Sequence, residues 1–126
     1  GAKRVVKSDR LPYKLMYLAT NKKHIAVCGT GKEIKIYDYN LKSVKTIKNK
    51  TMPSGLAYSR DGKYLIAGAS AYPFRINIYK SNSYKLKQSF KKHTNLTMAV
   101  TFWQNKNKLY GVSGGGNNNN IYIWNA

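Results

Sequence analysis

The sequence predicts an all-β fold made of three similar units, each of four antiparallel strands. A short strand recurs at 34–37, 76–79 and 121–124, reading Ile-Lys-Ile-Tyr, Ile-Asn-Ile-Tyr and Ile-Tyr-Ile-Trp, and its second Ile is spaced by 42 and then 45 residues. In the middle unit, Asp61-Gly62 predicts a tight turn, because these residue types tolerate a positive φ. No segment shows the sustained i, i+3, i+4, i+7 apolar spacing of a helix.

A repeat of about 40–45 residues with four strands is typical of a propeller blade. On these residues the chain resembles the WD-repeat β-propeller family. Residues 58–65 resemble the first turn and second strand of a blade, and 121–124 resemble its closing Ile-x-Ile-Trp. His93 stands where the family often has Gly-His before the inner strand. The resemblance covers nearly all of the chain and implies β-propeller blades.

The sequence departs from the family pattern in the turn before each third strand, where the family usually has Asp. Residues 32–33, 72–75 and 117–120 hold no Asp. We therefore expect that the family's hydrogen-bond network of His, Asp, Ser and Trp does not form as usual. Apolar packing then has to hold these degenerate blades together.

The strands can be placed blade by blade from their apolar and turn residues. Blade one, residues 11–50, is predicted to have strands at 13–19, 24–29, 34–39 and 43–48. Blade two, residues 51–92, is predicted to have strands at 54–58, 64–68, 76–79 and 84–90. Blade three, residues 93–126, is predicted to have strands at 96–103, 109–114 and 121–124.

Residues 2–10 resemble the outer-strand segments at 42–50 and 84–92, so we predict an outer closing strand there. Such a strand would complete a blade like blade three. Three blades cannot close a ring, because propellers have about 4–8 blades. Open edges and uncovered blade faces drive association. We therefore expect either a homodimer, in which two copies make six blades, or a larger ring completed by further blades.

The charge is strongly positive, with 23 Lys and Arg against 4 Asp and Glu, for a net charge of +19. A field of this size attracts polyanions, although a compositional bias toward Lys, Asn, Ile and Tyr explains the charge equally well. Thirteen basic residues fall in the predicted outer-strand segments and six in the turns between first and second strands. Lys on outer strands either prevents edge-to-edge aggregation or forms a basic rim that binds a partner. The excess of Lys over Arg favours diffuse contact with phosphate or acidic surfaces over base readout.

The expected function is a non-catalytic protein-interaction scaffold that presents loops and a basic rim to partner proteins. The alternative is sequence-nonspecific binding of nucleic acid or another polyanion through the Lys-rich rim. Two tyrosines at predicted loop or strand-end positions and seven lysines are the candidate contact residues. They are Tyr13, Tyr72, Lys22, Lys23, Lys63, Lys85, Lys87, Lys106 and Lys108.

Nothing in the sequence indicates catalysis, a metal or a cofactor. The carboxylates are Asp9, Glu33, Asp38 and Asp61. They show no paired acid–base arrangement, and His24 and His93 lack ligand spacing with Cys28 or a carboxylate cluster. Cys28 lies alone in an apolar strand and is predicted to be a core residue. No apolar run is long enough to cross a membrane and no signal peptide is visible, so we expect a cytoplasmic protein without membrane insertion.

Overall fold

The computed structural model describes residues 4, 5, 7–93, 97–115 and 119–126, and this part of the chain contains eleven strands in three antiparallel sheets. Blade one consists of β1 (Leu15–Thr20), β2 (Ile25–Gly29), β3 (Glu33–Tyr37) and β4 (Ser43–Lys48). Blade two consists of β5 (Pro53–Tyr58), β6 (Tyr64–Ala69), β7 (Ile76–Lys80) and β8 (Leu86–Phe90). Blade three consists of β9 (Thr97–Asn105), β10 (Lys108–Gly115) and β11 (Ile121–Asn125).

The predicted all-β class is confirmed, since the strands pair in chain order within each sheet. Every strand placed between residues 13 and 124 is present, and its bounds differ from the prediction by two residues at most. The predicted start of a strand at residue 96 and part of the turn at 114–120 lie outside the described residues. No helix in the described part is long and apolar enough to cross a membrane.

The first turn of blade two is fixed by its own side chains. Asp61 Oδ1 accepts hydrogen bonds from the Lys63 amide at 3.0 Å and from the Ser59 hydroxyl at 2.7 Å. Gly62 follows at a φ of 76°, a conformation that Gly adopts without a steric penalty. The predicted Asp-Gly turn is therefore confirmed. Blade one uses Asn21 in the same way, because its Oδ1 accepts hydrogen bonds from two following amides.

Blades one and two are joined by a cluster of buried, mostly apolar side chains. Blade one contributes Ala26, Cys28, Ile34 and Ile36, all of them 0% exposed. Blade two contributes Leu65, Ala67, Tyr79 and Tyr84. Cys28 is a free, buried core residue as predicted, and burial raises the pKa of its thiol to about 12.

Blades two and three are joined through the opposite face of the blade-two sheet. Successive side chains of a strand point to opposite faces, so Ile66 lies opposite its neighbour Leu65. Ile66, Ile76 and Ile78 are 0% exposed and contact Val100 and Phe102 of blade three, among others. Burying one such side chain stabilises the fold by roughly 1.5–3 kcal/mol. Blade two is therefore an apolar sheet with both faces covered.

Blade three contains a buried polar cluster around Ser113. His93 Nε2 lies 2.7 Å from Ser113 Oγ, and Trp124 Nε1 donates to the same oxygen at 2.8 Å. His93 and Ser113 are buried, at 4% and 1% exposure. In the described part of the blade, the full network of His, Asp, Ser and Trp is therefore absent, as expected, but its His–Ser–Trp part is present. It forms without Asp, because the Ser113 hydroxyl contacts both rings directly.

The outer strand of blade two also differs from the prediction. Simple alternation along residues 84–90 predicts that Leu86 faces inward with Phe90 and that Lys87 faces outward. Instead, Leu86 is 56% exposed, and Lys87 is half-buried with its Nζ 5.3 Å from the centre of the Tyr64 ring. The cause is a register shift between Ile78 and Tyr79, which places an extra residue on β8 and reverses the alternation there. Tyr84, expected at the start of the strand, lies buried in the turn before it at a φ of 56°.

Residues 4, 5 and 7–10 lie in no strand of this chain, and Val5 is 77% exposed. The outer closing strand at 2–10 stays a prediction, because its proposed place is in another blade. Residues 2, 3 and 6 lie outside the described part.

We predict that Ser113→Ala lowers the free energy of unfolding by about 1–3 kcal/mol, the usual cost of leaving a buried polar group without its partner. The substitution removes the one oxygen that both His93 Nε2 and Trp124 Nε1 contact. Urea unfolding followed by tryptophan fluorescence measures the change.

Ser43→Ala is the matched control, since Ser43 is exposed on β4. We expect it to change the unfolding free energy by less than about 0.5 kcal/mol. Equal effects of the two substitutions would show that the Ser113 cluster does not stabilise blade three.

Candidate interaction groove

Antiparallel strand order places alternate connections at opposite ends of each blade. The turns β1–β2, β5–β6 and β9–β10 therefore lie at one end, together with β3–β4 and β7–β8. We call this end of the blades the first-turn face. The connections β2–β3 and β6–β7 lie at the other end.

A groove of about 930 Å³ opens on the first-turn face between blades one and two, and we call it the basic groove. It is lined by the β1–β2 turn of blade one and by the β5–β6 and β7–β8 turns of blade two. The charged residues in its lining are Lys22, Lys23, Arg60, Asp61, Lys63 and Lys80. Among the described residues, the lining of the groove thus contains five cations and one carboxylate.

The one carboxylate is already used by its own turn. Burial alone would raise the pKa of Asp61, but hydrogen bonds from the Lys63 amide and the Ser59 hydroxyl lower it below its ordinary value. Asp61 is therefore ionised at neutral pH and serves the backbone of its turn. The cations of the basic groove are left to attract an anion from outside.

Direct contacts hold the two sides of the basic groove together. Across the groove, Asn21 Nδ2 donates to the Gly62 carbonyl at 3.0 Å. Within blade one, the Tyr39 hydroxyl donates to the Asn21 carbonyl at 2.6 Å and so helps to position Asn21. A Cβ at Gly62 would lie 3.3 Å from the Asn21 Cβ, so a larger residue would push the turns apart. The spacing of the two turns is fixed before any ligand arrives.

A chain of hydrogen bonds also links the two blades beside the groove. His24 Nδ1 lies 2.7 Å from the Tyr84 hydroxyl, which lies 2.7 Å from the Tyr58 hydroxyl. Burial raises the pKa of both tyrosines. Burial, and the nearby Lys23 ammonium, lower the pKa of His24. The imidazole is therefore neutral at pH 7 and adds no charge.

A second, smaller groove of about 420 Å³ lies on the same face between blades two and three. Lys63 lines both grooves, and Lys108 of blade three lines the second. The two grooves therefore form one stretch of basic surface that crosses all three blades.

The structure brings some of the candidate contact residues together. Lys22, Lys23 and Lys63 line the basic groove, and Lys108 lines the second groove. Lys106 and Lys85 are exposed in turns of the same face. Lys87 lies apart, half-buried on the outer strand of blade two.

The two tyrosines lie at the other end of the blades. The Tyr13 ring packs over Gly31, where an added Cβ would lie 2.9 Å from it, and its hydroxyl is buried. Burial, and then the Glu33 carboxylate, raise the pKa of Tyr13. Tyr72 is 74% exposed, with Lys91 Nζ 5.3 Å from its ring centre. The nine candidate residues therefore do not form one site, and a contact of either tyrosine with a partner stays a prediction.

Sequence reasoning missed several polar residues of the basic groove, including two of its five cations. Arg60, Lys80 and Asn82 line it but were not proposed as contacts. The sequence could have indicated Lys80, because it ends the third strand of blade two and third strands end at the first-turn face. Only the approach of blade two to blade one shows that it faces Lys22 and Lys23.

No family model matches the chain, and no curated protein matches it. Many solved structures do match. One is a propeller chain in the crystal structure of the mitotic checkpoint complex, with a TM-score of 0.73, 24% sequence identity and coverage of 86% of this chain. The chain spans only 34% of that protein chain. The similarity shows the fold alone: this protein is built of β-propeller-like blades.

We predict that stability falls as the pH is lowered through the ordinary histidine pKa, about 6.5. Burial lowers the pKa of both His24 and His93, so the unfolded chain binds protons more readily than the folded chain does. The contribution is present above the unfolded pKa and is lost as the pH falls below it. With only 4 Asp and Glu in the chain, few other groups titrate there.

Urea unfolding at about pH 7.5 and about pH 5 tests this linkage. His24→Asn, which cannot titrate, should show a smaller loss of stability between the two pH values than the parent chain. An unfolding free energy that is the same at both pH values would contradict the prediction.

Proposed function

We propose that this protein is a non-catalytic interaction scaffold that binds an acidic segment of a partner protein in the basic groove. The observation that carries the proposal is the charge of that groove. Lys22, Lys23 and Lys63 share it with two further cations, Arg60 and Lys80, and its one carboxylate is held by its own turn.

The geometry of the groove supports a ligand of limited size. A volume of about 930 Å³ is within the range of about 300–1,000 Å³ that pockets for compact ligands occupy. This volume accommodates a few side chains of an extended peptide. Since the Asn21–Gly62 hydrogen bond already spans the groove, little ordering is needed on binding, which favours affinity.

The chemistry of the cations supports carboxylates as the ligand groups. Lys is a point charge with three donors and has no fixed fork geometry, and four of the five cations are Lys. Such a site attracts Glu and Asp side chains without demanding one orientation. The similar solved structure belongs to a protein assembly, the mitotic checkpoint complex, which is compatible with a scaffold role for this fold.

Nucleic-acid binding through the outer strands is the competing function, and the net charge of +19 favours it. The two functions place the contact at different lysines. Acidic-peptide binding depends on the basic groove, whereas polyanion binding by the rim depends on the outer strands.

We predict that replacing Lys22, Lys23 and Lys63 together by Ala weakens binding of a fluorescein-labelled oligoglutamate peptide by about tenfold or more, since exposed ion pairs each contribute up to ~1 kcal/mol. Fluorescence anisotropy measures the affinity. Binding should also weaken as the salt is raised from about 50 mM to about 500 mM, because salt screens exposed charges.

The matched control replaces Lys45, Lys48 and Lys50 by Ala, which removes the same charge from exposed outer positions of blade one. We expect a much smaller loss of peptide affinity. Equal losses for the two variants would refute a groove-specific site. Tighter binding of duplex DNA, weakened mainly by the control variant, would favour the rim.

A further inference from the structure

Equivalent isoleucines of the three blades have very different exposures. Ile34 and Ile36 of blade one and Ile76 and Ile78 of blade two are all 0% exposed. The corresponding residues of blade three, Ile121 and Ile123, are 75% and 60% exposed. The sequence pattern is the same in all three strands, so the difference comes from what covers them.

The strand register shows which face these residues occupy. Ile36 pairs with Ala26, Ile78 with Ile66, and Ile123 with Val112. In blades one and two, this face is the one that packs against the next blade. In blade three it is covered by no blade of the described chain, and we call it the blade-three face.

The blade-three face has the composition of an interface. Besides the two isoleucines it carries Val112, Thr101 and Ala99, which the register places on the same side. Trp103 is 46% exposed and stacks on Tyr110, with ring centres 4.9 Å apart. Among the described residues of the three strands, the register places no charged side chain on this face except Lys108 at the turn. In a chain with 23 basic residues, an exposed sheet face that is mainly apolar and carries almost no charge marks an interaction surface.

Blade one exposes the complementary face. Leu18 of blade one and Leu56 of blade two occupy equivalent positions on their inner strands. Leu18 pairs with Val27, and Leu56 pairs with Ala67. Leu56 packs in the cluster between blades one and two, but Leu18 is 64% exposed. The neighbouring Met16 is 51% exposed. Blade one therefore presents the side that receives a preceding blade, and we call it the blade-one face.

The exposed area of the chain is in keeping with uncovered faces. The chain exposes 8281 Å², whereas a compact folded monomer of 14.3 kDa is expected to expose about 6,800 Å². The excess is roughly 1,500 Å², and the exposed residues before β1 contribute to it. A standard interface buries about 800 Å² on each partner, so an excess of this order is in the direction expected for uncovered faces.

We propose that two copies of this chain associate head to tail, the blade-three face of each packing on the blade-one face of the other. The contact reproduces the internal interfaces, where the same two kinds of face already meet. Two copies give six blades and two identical interfaces, within the range of about 4–8 blades in closed propellers. Three copies would exceed that range.

The proposed dimer would also place a partner strand beside the edge strand of blade three. β11 is an edge strand of the described blade-three sheet, in the position that β7 occupies beside β8 in blade two. Each outer strand in the chain precedes the inner strand of the next blade. By the same order, the outer strand predicted at residues 2–10 would pair with β11 of the other copy, and this pairing stays a prediction.

The charge of the chain sets the conditions for association. Each copy carries +19, so repulsion opposes the dimer at low salt and is screened at high salt. Light scattering on a size-exclusion column at about 500 mM salt should give twice the chain mass of 14.3 kDa. The dimer should weaken when the salt is lowered. This dependence is opposite to that of acidic-peptide binding, so the two proposals fail separately.

Three single variants test the faces. Ile123→Lys and Leu18→Lys each place a charge at one of the two faces, and each should weaken the dimer by at least tenfold. Leu86→Lys is the matched control, because Leu86 is an exposed leucine, at 56%, on the outer strand of blade two. It should leave the dimer unchanged.

Mixing the two disruptive variants tests the head-to-tail geometry. A mixed dimer of Ile123→Lys and Leu18→Lys copies has one interface that carries both charges and one with neither. The mixture should therefore form more dimer than either variant alone. A parent chain that stays monomeric at high salt would overturn the proposal and indicate that further blades of a longer chain cover these faces. A dimer that neither variant weakens would overturn it as well.

Discussion

Each blade is an apolar sheet that needs another blade on both of its faces, and this requirement organises the whole structure. Blade two satisfies it, with Leu65 and Ala67 turned toward blade one and Ile66 and Ile78 toward blade three. The alternation of side chains along one strand thus links three sheets into one core. Blades one and three meet the requirement on one face only. Their uncovered faces, and the grooves where the turns of adjacent blades meet, are consequences of the same stacking.

The stacking of the blades also explains why polar side chains lie close together at the first-turn face. The sheet interiors hold little that is polar, apart from clusters such as Ser113 with His93 and Trp124. The turns can carry any side chain, and in this chain they carry Lys, Arg, Asn and Asp. Where two blades pack together, their turns come close enough for Asn21 to bind the Gly62 carbonyl. The basic groove is therefore a product of blade packing as well as of composition.

The fold was predictable because its signals are local. The recurring Ile-x-Ile strands and the Asp61-Gly62 turn act over a few residues, and strand bounds follow from them closely. What the sequence did not indicate are details that depend on contacts between distant residues. Ser113 is 20 residues from His93, and no local pattern indicated that its hydroxyl would contact both rings. The exposure of Leu86 follows from a register shift opposite Tyr79, which simple alternation does not include.

The sequence by itself determined the class of fold, the order of the eleven strands between residues 15 and 125, the excess of positive charge and the placement of several lysines in turns, since each depends on residue type and short spacing. Tertiary structure decided which lysines share a groove, because Lys22 and Lys80 meet only when blade two packs on blade one. Tertiary structure also decided which of the repeated isoleucines are buried and which are exposed. Ile78 and Ile123 occupy equivalent positions, yet one is 0% and the other 60% exposed, because burial depends on the adjacent blade and not on the strand's own sequence.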